Sequence, residues 1–166
     1  MKQLLLVRHA KSDWADINLA DFDRPLNNRG HNAAPEMAER LLKKHIIPQH
    51  IVSSPALRAY TTSKYFAKTF GMDKSEIELR PDIYEASPDT LLRVINQQEN
   101  KFDFIALFGH NPSITTLAVG LCGCHIFNMP TCGMILIEFP FDDWKLVSYG
   151  TGEQKLYDYP KNSGED

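Results

Sequence analysis

The sequence predicts an α/β fold with a mostly parallel sheet. Short, continuous apolar runs recur along the chain, and such runs are typical of strands buried on both faces. Segments with a helical spacing of apolar residues lie between them, and this alternation is typical of parallel sheets covered by helices. The 166 residues, of which 43% are hydrophobic and 23% charged, suit one globular domain and exclude a wholly disordered chain, a collagen-like repeat or a simple coiled coil.

Two strands and one helix are predicted in the first third of the chain. Leu4–Val7 is an apolar run and is predicted to be the first strand. A polar loop from Ala10 to Asn28 follows it. The first helix is predicted over Arg29–His45, and Pro48 prevents a longer one. The second strand is predicted at His50–Ser53.

Residues that favour helix ends define the middle of the chain. The second helix is predicted to run from Pro55 to Phe70, because Ser54 is a good N-cap and proline suits the first helical position. Gly71 is its predicted C-terminal stop. A short strand is predicted at Glu76–Arg80, and the sequence Ser87-Pro88-Asp89 predicts the start of a third helix.

The second half of the chain is predicted to complete the sheet. Phe102–Phe108 is a further apolar strand, and a helix is predicted to follow it from Asn111 to Leu121. Ile135–Ile137 and Leu146–Tyr149 are predicted to be the closing strands.

The domain and its environment follow from composition. Residues 1–159 are predicted to form a single domain, and the polar residues 160–166 a frayed tail. The formal charge of −3 shows no global basic excess, so neither nucleic acid nor an anionic membrane is expected as a partner. Three cysteines argue against a disulfide scaffold, and no apolar stretch has the length of a signal peptide core or a membrane span. We therefore expect a cytoplasmic protein.

Three polar clusters follow predicted parallel strands. Arg8 and His9 come directly after the first strand, Arg58 lies just beyond the second, and His110 follows the strand at Phe102–Phe108. In open α/β sheets, ligands bind beyond the carboxyl ends of the strands. These four side chains are therefore expected to meet at one edge of the sheet.

Two arginines and two histidines at one edge are suited to phosphoryl transfer. An arginine offers a planar, permanently charged group that matches phosphate oxygens. A neutral imidazole is a nucleophile that can accept a phosphoryl group, and a second histidine can stabilise charge in the transition state. Each of these residues alone has an ordinary structural explanation, but their occurrence after separate strands favours a shared site.

The motifs resemble those of the histidine phosphatase superfamily, which has the phosphoglycerate mutase-like fold. The resemblance rests on Leu4–Ala10, Ser53–Ala59 and Gly109–Asn111. More narrowly, Lys11–Trp14 and Asp21–Leu26 resemble the SixA-type phosphohistidine phosphatases. This resemblance covers nearly the whole chain and implies a phosphatase with a three-layer α/β/α sandwich.

The resemblance also implies roles for the four clustered residues. His9 would be the nucleophile and would form a transient phosphohistidine, which water then hydrolyses. Arg8, Arg58 and His110 would bind and neutralise the phosphoryl oxygens. No metal or other cofactor is implied, because cationic side chains replace it.

Two departures from the family pattern concern phosphate binding. Ala10 stands where many members have glycine, as in the SixA type, and Ala15 stands where many have asparagine. One phosphate contact is therefore expected to be missing or to come from another group. Ser12, Lys11 and Arg24 are the candidates, with a structural or surface role as the alternative.

The position of a general acid is the least defined part of the expected site. Superfamily phosphatases usually place Glu or Asp after the helix that carries the second arginine, and Glu85 lies at about that place. The alternative is a carboxylate near the start of the Ser87 helix, where negative charge is favourable. A phosphohistidine phosphatase could do without a strong acid, because imidazole departs more easily than an alkoxide.

Two other features have alternative interpretations. Cys122, Cys124, His125 and Cys132 form a Cys/His cluster, but C-x-C is tighter than the usual zinc spacing, and small buried thiols are the better interpretation. Trp14 lies beside the expected site and either covers it or anchors its loop.

Three functions remain open at this point. The first is a phosphatase that acts on phosphohistidine in a protein, the second a small-molecule phosphomonoesterase of the same chemistry, and the third a phosphate-binding module without turnover. The short chain favours the first, because larger relatives that act on metabolites tend to carry insertions that cover the site. The expected partner is thus a phosphorylated protein or, in the second case, a small phosphorylated molecule.

Overall fold

A computed structural model describes residues 1–162 and confirms the α/β prediction. Within these residues, one six-stranded mixed sheet is covered by four α-helices, and no helix is long and apolar enough to cross a membrane. The strands are β1 (Lys2–Arg8), β2 (His50–Ser53), β3 (Glu78–Leu79), β4 (Phe104–Gly109), β5 (Met134–Phe139) and β6 (Glu153–Asp158). The helices are α1 (Asn28–Lys43), α2 (Leu57–Thr69), α3 (Pro88–Asn96) and α4 (Ser113–Cys122).

The sheet aligns the carboxyl ends of its parallel strands. Its order is β3-β2-β4-β1-β5-β6. The first four strands are parallel, β5 pairs antiparallel with β1, and β6 pairs antiparallel with β5. In the register, Arg8 lies opposite Gly109 and Ser53 lies opposite Phe108. The residues that follow β1, β2 and β4 therefore emerge at one edge, as the sequence predicts.

Alternate residues of β1 supply two hydrophobic cores, one on each face of the sheet. Leu4 and Leu6 pack with α3 and α4, whereas Leu5 and Val7 pack with α1 and α2. Burial on both faces explains the continuous apolar run in the sequence. The two helical layers and the sheet between them form the expected three-layer sandwich.

The helix starts differ in how well the sequence predicts them. The side chain of Ser87 accepts a hydrogen bond from Thr90 N at 3.2 Å, which confirms the predicted cap of α3. The predicted start of α2 at Pro55 is wrong, because the helix begins at Leu57. Ser54 Oγ accepts instead from Ala56 N at 3.2 Å, which is a local turn and not a helix cap.

The predicted strand at Leu146–Tyr149 is wrong. That part of the chain forms a short 3-10 helix at Trp144–Leu146, whose start is fixed by a hydrogen bond from Lys145 N to the Asp143 side chain. The closing strand is β6, whose first three residues are exposed. An exposed edge strand needs no apolar pattern, so its sequence gives little signal.

Hydrogen bonds hold the chain against the domain at residue 160, where the polar tail is predicted to begin. Arg40 donates a hydrogen bond to the carbonyl of Pro160 at 2.8 Å and to that of Tyr159 at 3.0 Å. The remaining residues of the predicted tail, 163–166, lie outside the described part of the chain.

Candidate active site

A cavity of about 260 Å³ lies at the carboxyl edge of the parallel strands. Its wall brings together seven of the eight residues that the sequence analysis selects. They are Arg8, His9, Lys11, Ser12, Arg24, Arg58 and His110. Trp14 also contributes to the wall, whereas Glu85 does not.

His9 is buried directly after β1, with 8% of its surface exposed. Its Nδ1 atom lies 2.7 Å from the carbonyl oxygen of Ala10. Because a carbonyl only accepts, Nδ1 carries the proton and Nε2 keeps a free lone pair. Burial, with the nearby His110 and arginine charges, lowers the pKa of His9 to about 3. The ring is therefore neutral at physiological pH.

His110 lies beside His9, with the two ring centroids 5.3 Å apart. Burial and the charge of Arg58 lower the pKa of His110 to about 4. Its Nε2 atom lies 2.8 Å from Ser54 Oγ, which already accepts from Ala56 N. With the Ser54 hydroxyl donating to Nε2, the ring proton of His110 is on Nδ1, which has no partner of its own in the described chain.

Four residues of the cavity wall each have a buried nitrogen without a hydrogen-bond partner within residues 1–162. These nitrogens are Nε of Arg8, Nε of Arg24, Nε of Arg58 and Nδ1 of His110. An unpaired buried donor costs about 1–3 kcal/mol, so native structures rarely keep several of them together without a function. Their common location gives the cavity the properties of an anion site.

Asp21 connects two of these arginines, although the sequence analysis did not select it individually. Its carboxylate accepts hydrogen bonds from Arg58 Nη2 and Arg24 Nη2, both at 3.0 Å, and from the Tyr84 hydroxyl at 2.6 Å. The bond from Tyr84, together with those from the two arginines, holds the pKa of Asp21 well below its usual range. The segment Asp21–Leu26, noted above as SixA-like, was the available signal.

Ser12, Lys11 and Trp14 complete one side of the cavity. The buried Ser12 hydroxyl accepts a hydrogen bond from Arg24 Nη1, so Ser12 also orients this guanidinium. The Trp14 ring stacks on Arg24 at 3.5 Å from its centroid, while 72% of Trp14 stays exposed. Trp14 therefore covers Arg24 on the solvent side.

Glu85 is exposed on the turn between β3 and α3. Its backbone has a φ of 56°, a left-handed conformation that is uncommon for residues other than glycine. The neighbouring Tyr84 contacts the site, since its ring lies 5.7 Å from that of His110 and its hydroxyl bonds Asp21. Glu85 thus follows a residue that contacts the site, but it does not line the cavity wall.

The Cys/His cluster is divided between the two faces of the sheet. Cys124 belongs to the core beneath α3 and α4, whereas Cys132 belongs to the core beneath α1 and α2. These two thiols cannot share one metal ion. Burial raises the pKa of Cys132 to about 12, so its thiol is protonated.

Comparisons with known proteins agree with this architecture. The family model of the histidine phosphatase superfamily (branch 1) matches residues 4–91, more than half of the chain. An uncharacterised chloroplastic protein of Arabidopsis thaliana is 30% identical over 165 residues, which cover 93% of this chain and 75% of that protein. Phosphoserine phosphatase 1 of Hydrogenobacter thermophilus is 33% identical over 75 residues, or 44% of this chain and 35% of that enzyme.

A solved structure extends the similarity over nearly the entire fold. The crystal structure of a protein assigned as the phosphohistidine phosphatase SixA of Agrobacterium tumefaciens superposes with a TM-score of 0.80 at 25% identity. The superposition covers 96% of this chain and 98% of that one. The SixA-like resemblance predicted from the sequence is thereby confirmed. The chain belongs to branch 1 of the histidine phosphatase superfamily and is a phosphatase.

Proposed function

We propose that the protein hydrolyses phosphohistidine on a protein substrate through a phosphorylated His9. In the first step, His9 Nε2 forms a bond to phosphorus, and the bond between phosphorus and the substrate imidazole breaks. In the second step, water attacks the phosphorus of phospho-His9, which releases inorganic phosphate and regenerates His9. The substrate histidine leaves as a neutral imidazole whose proton is the one already carried by its other ring nitrogen, so the departing nitrogen needs no proton donor.

The state of His9 supports its role as the nucleophile. The hydrogen bond from Nδ1 to the Ala10 carbonyl leaves Nε2 as the atom with a free lone pair. The lowered pKa, about 3, keeps that lone pair available at neutral pH. The same bond fixes the ring plane before the substrate arrives.

The unpartnered donors support binding of the phosphoryl oxygens by Arg8, Arg24, Arg58 and His110. Each has a buried ring or guanidinium nitrogen that lacks a partner in the described chain. Charge-assisted bonds from these side chains to a phosphoryl group would stabilise the negative charge of the transition state. In this proposal, cationic side chains supply the electrostatic stabilisation that a metal ion supplies in other phosphatases.

The observation that carries the choice of substrate is the absence of a carboxylic acid from the cavity wall in residues 1–162. Asp21, which bonds two of the wall arginines, is kept ionised and cannot donate a proton near neutral pH. An alkoxide is a poor leaving group without a proton donor, whereas the imidazole of phosphohistidine leaves readily. The site therefore suits a phosphorus–nitrogen bond better than an alkyl ester.

A small-molecule phosphomonoesterase is the second candidate, and the partial similarity to phosphoserine phosphatase 1 favours it. In this function, Glu85 would have to supply the proton to the leaving alkoxide. Glu85 is adjacent to Tyr84 in the sequence but does not line the cavity wall, so the turn that carries it would have to approach the bound ester.

A kinetic comparison tests the proposed function. The wild-type protein would be assayed with phosphohistidine peptides, an alkyl phosphomonoester such as phosphoserine, and an aryl phosphate. We expect kcat/KM to be highest for the phosphohistidine peptides and lowest for the alkyl ester. A higher kcat/KM for the alkyl ester would support the second candidate, and binding without turnover of any substrate would indicate a phosphate-binding module.

The proposal also includes the compartment. Cys122, Cys124 and Cys132 are all free thiols, which supports a reducing environment such as the cytoplasm.

A further inference from the structure

A second cavity, of about 560 Å³, lies next to the phosphoryl pocket. The two cavities share Lys11 and Thr131 in their walls and are therefore neighbours. Its far side is formed by Arg29 on α1 and by Lys161 in the C-terminal segment. We call this cavity the side cleft.

The walls of the side cleft are held in place by hydrogen bonds and close packing. Asn27 N donates to the Lys11 carbonyl at 3.0 Å, and Gly30 packs so closely that a Cβ atom there would lie 2.2 Å from that oxygen. On the opposite wall, Arg40 donates to the carbonyls of Tyr159 and Pro160. Both walls are thus positioned before any ligand binds.

The side cleft is positively charged. Lys11, Arg29 and Lys161 contribute cations, and none of them forms an ion pair within residues 1–162. The one carboxylate among the described wall residues, that of Glu36, is paired with Arg40 at 3.0 Å. An anionic group in the cleft would therefore be attracted by three cations that are not paired with a carboxylate of the described chain.

The remaining wall residues include apolar surfaces from Ala33, Pro130 and Tyr159. A glutamate side chain has a methylene stem and an anionic end, which match the apolar and cationic parts of this wall. A phosphohistidine held in the first pocket places its flanking chain outside that pocket. The side cleft shares Lys11 and Thr131 with that pocket, so it lies within reach of the flanking chain.

We propose that the side cleft binds an acidic side chain that flanks the phosphohistidine of the protein substrate. This inference rests on the proposed function and adds a sequence preference to it. Arg29 and Lys161 increase the affinity for acidic substrates and do not take part in bond breaking. Their effect is expected in KM and not in kcat, because they line the side cleft and not the phosphoryl pocket.

The test uses two peptide substrates and four variants. Phosphohistidine peptides would carry either glutamate or glutamine on both sides of the phosphohistidine, and an aryl phosphate would report basal activity. The variants are Arg29→Gln, Lys161→Gln, their combination, and the control Lys43→Gln. Lys43 is an exposed lysine at the far end of the helix that carries Arg29.

The wild-type KM should be lower for the glutamate peptide than for the glutamine peptide. Arg29→Gln and Lys161→Gln should each raise the KM of the glutamate peptide about two- to fivefold, with kcat unchanged. The combined variant should remove the preference, and added salt should weaken it in the wild type. The glutamine peptide, the aryl phosphate and the Lys43→Gln control should show no such change.

Two failures are distinguishable. If the wild type cleaves both peptides with equal KM, or if the variants change both peptides alike, the side-cleft inference is wrong and the proposed function stands. If the wild type hydrolyses the aryl phosphate but neither peptide, the proposed function is wrong and this inference is lost with it.

Discussion

The Asp21 carboxylate lies 3.0 Å from Arg58 Nη2, and the Asp21 carbonyl lies 2.6 Å from Arg58 Nη1. Asp21 thus holds the outer edge of this guanidinium and leaves its Nε atom without a partner. A second contact, from Arg24 Nη2 to the same carboxylate, orients another guanidinium of the cavity wall. We infer that Asp21 positions both arginines for the phosphoryl oxygens, although it carries negative charge itself.

Asp21→Asn should therefore weaken oxyanion binding. The change removes two ion pairs with arginines, and hydrogen bonds to charged groups contribute about 1.5–3 kcal/mol. We expect the dissociation constant for vanadate or tungstate to rise about tenfold or more, as measured by calorimetry. Asp23→Asn is the matched control, since Asp23 is an exposed residue of the same short 3-10 helix. Tighter oxyanion binding in Asp21→Asn would show that Asp21 competes with phosphate.

His9 should become covalently phosphorylated during turnover. Rapid quenching with labelled substrate should trap an acid-labile, base-stable adduct, because phosphohistidine hydrolyses in acid. The adduct should map to Nε2 by NMR, since Nδ1 is engaged with Ala10. It should be absent in His9→Ala. A base-stable adduct on a different residue of the wild-type protein would contradict the assignment.

Catalysis should not require a metal ion. Activity should be unchanged after dialysis against EDTA, because Arg8, Arg58 and His110 are proposed to stabilise the phosphoryl charge. Removal of one such group commonly lowers kcat about 10²–10³-fold, which we expect for Arg58→Gln. Loss of activity in EDTA, followed by recovery with Mg²⁺ or Zn²⁺, would refute this mechanism.

The two site histidines should make the protein less stable in mild acid. Their pKa values in the folded state are about 3 for His9 and about 4 for His110, against about 6.5 in the unfolded chain. Below pH 6.5 the unfolded state therefore binds more protons than the folded state. The corresponding stability is complete above pH 6.5 and is lost as the pH falls towards 4 and then 3.

Urea denaturation measures this effect. Each histidine should contribute a slope of up to about 1.4 kcal/mol per pH unit to the free energy of unfolding below pH 6.5. His9→Gln should show a shallower dependence than the wild type between pH 6.5 and pH 4.5. Equal slopes in the two proteins would show that the His9 pKa is not depressed in solution.

The sequence predicts the parts of this site that depend on local patterns. Arg8 and His9 follow a strand whose apolar run is unambiguous, and parallel pairing places them beside His110. The Ser87 cap and its helix follow from residues three positions apart. These features need no knowledge of distant contacts.

The features that the sequence does not predict depend on distant residues. Asp21 gains its role from Arg58 and Tyr84, which lie 37 and 63 positions away. Serine is a residue type that favours helix N-caps, but the Ser54 hydroxyl forms its hydrogen bonds with Ala56 N and His110 Nε2. Strand β6 is recognised only through its pairing with β5, because its exposed edge carries no apolar alternation.

The backbone at Glu85 gives the last prediction. A glutamate at φ 56° is strained, at a cost of about 1 kcal/mol or more, and glycine would relieve that strain. Glu85→Gly should therefore raise the free energy of unfolding, whereas Glu85→Gln keeps the strain and removes only the charge. Comparison of the two variants separates the effect of backbone strain on stability from the effect of losing the carboxylate.

Under the proposed function, Glu85→Gln should change phosphohistidine turnover by less than about twofold, because the imidazole leaving group needs little protonation. If Glu85 is the general acid for esters, alkyl phosphomonoester turnover should fall about 10²–10⁴-fold, with aryl phosphates in between because their leaving groups are better. Equal loss on all three substrates would indicate a role in folding or phosphate positioning. No loss on any of the three substrates would show that Glu85 has only a structural role in its turn. Hydrolysis of all three would then proceed without Glu85 as a general acid.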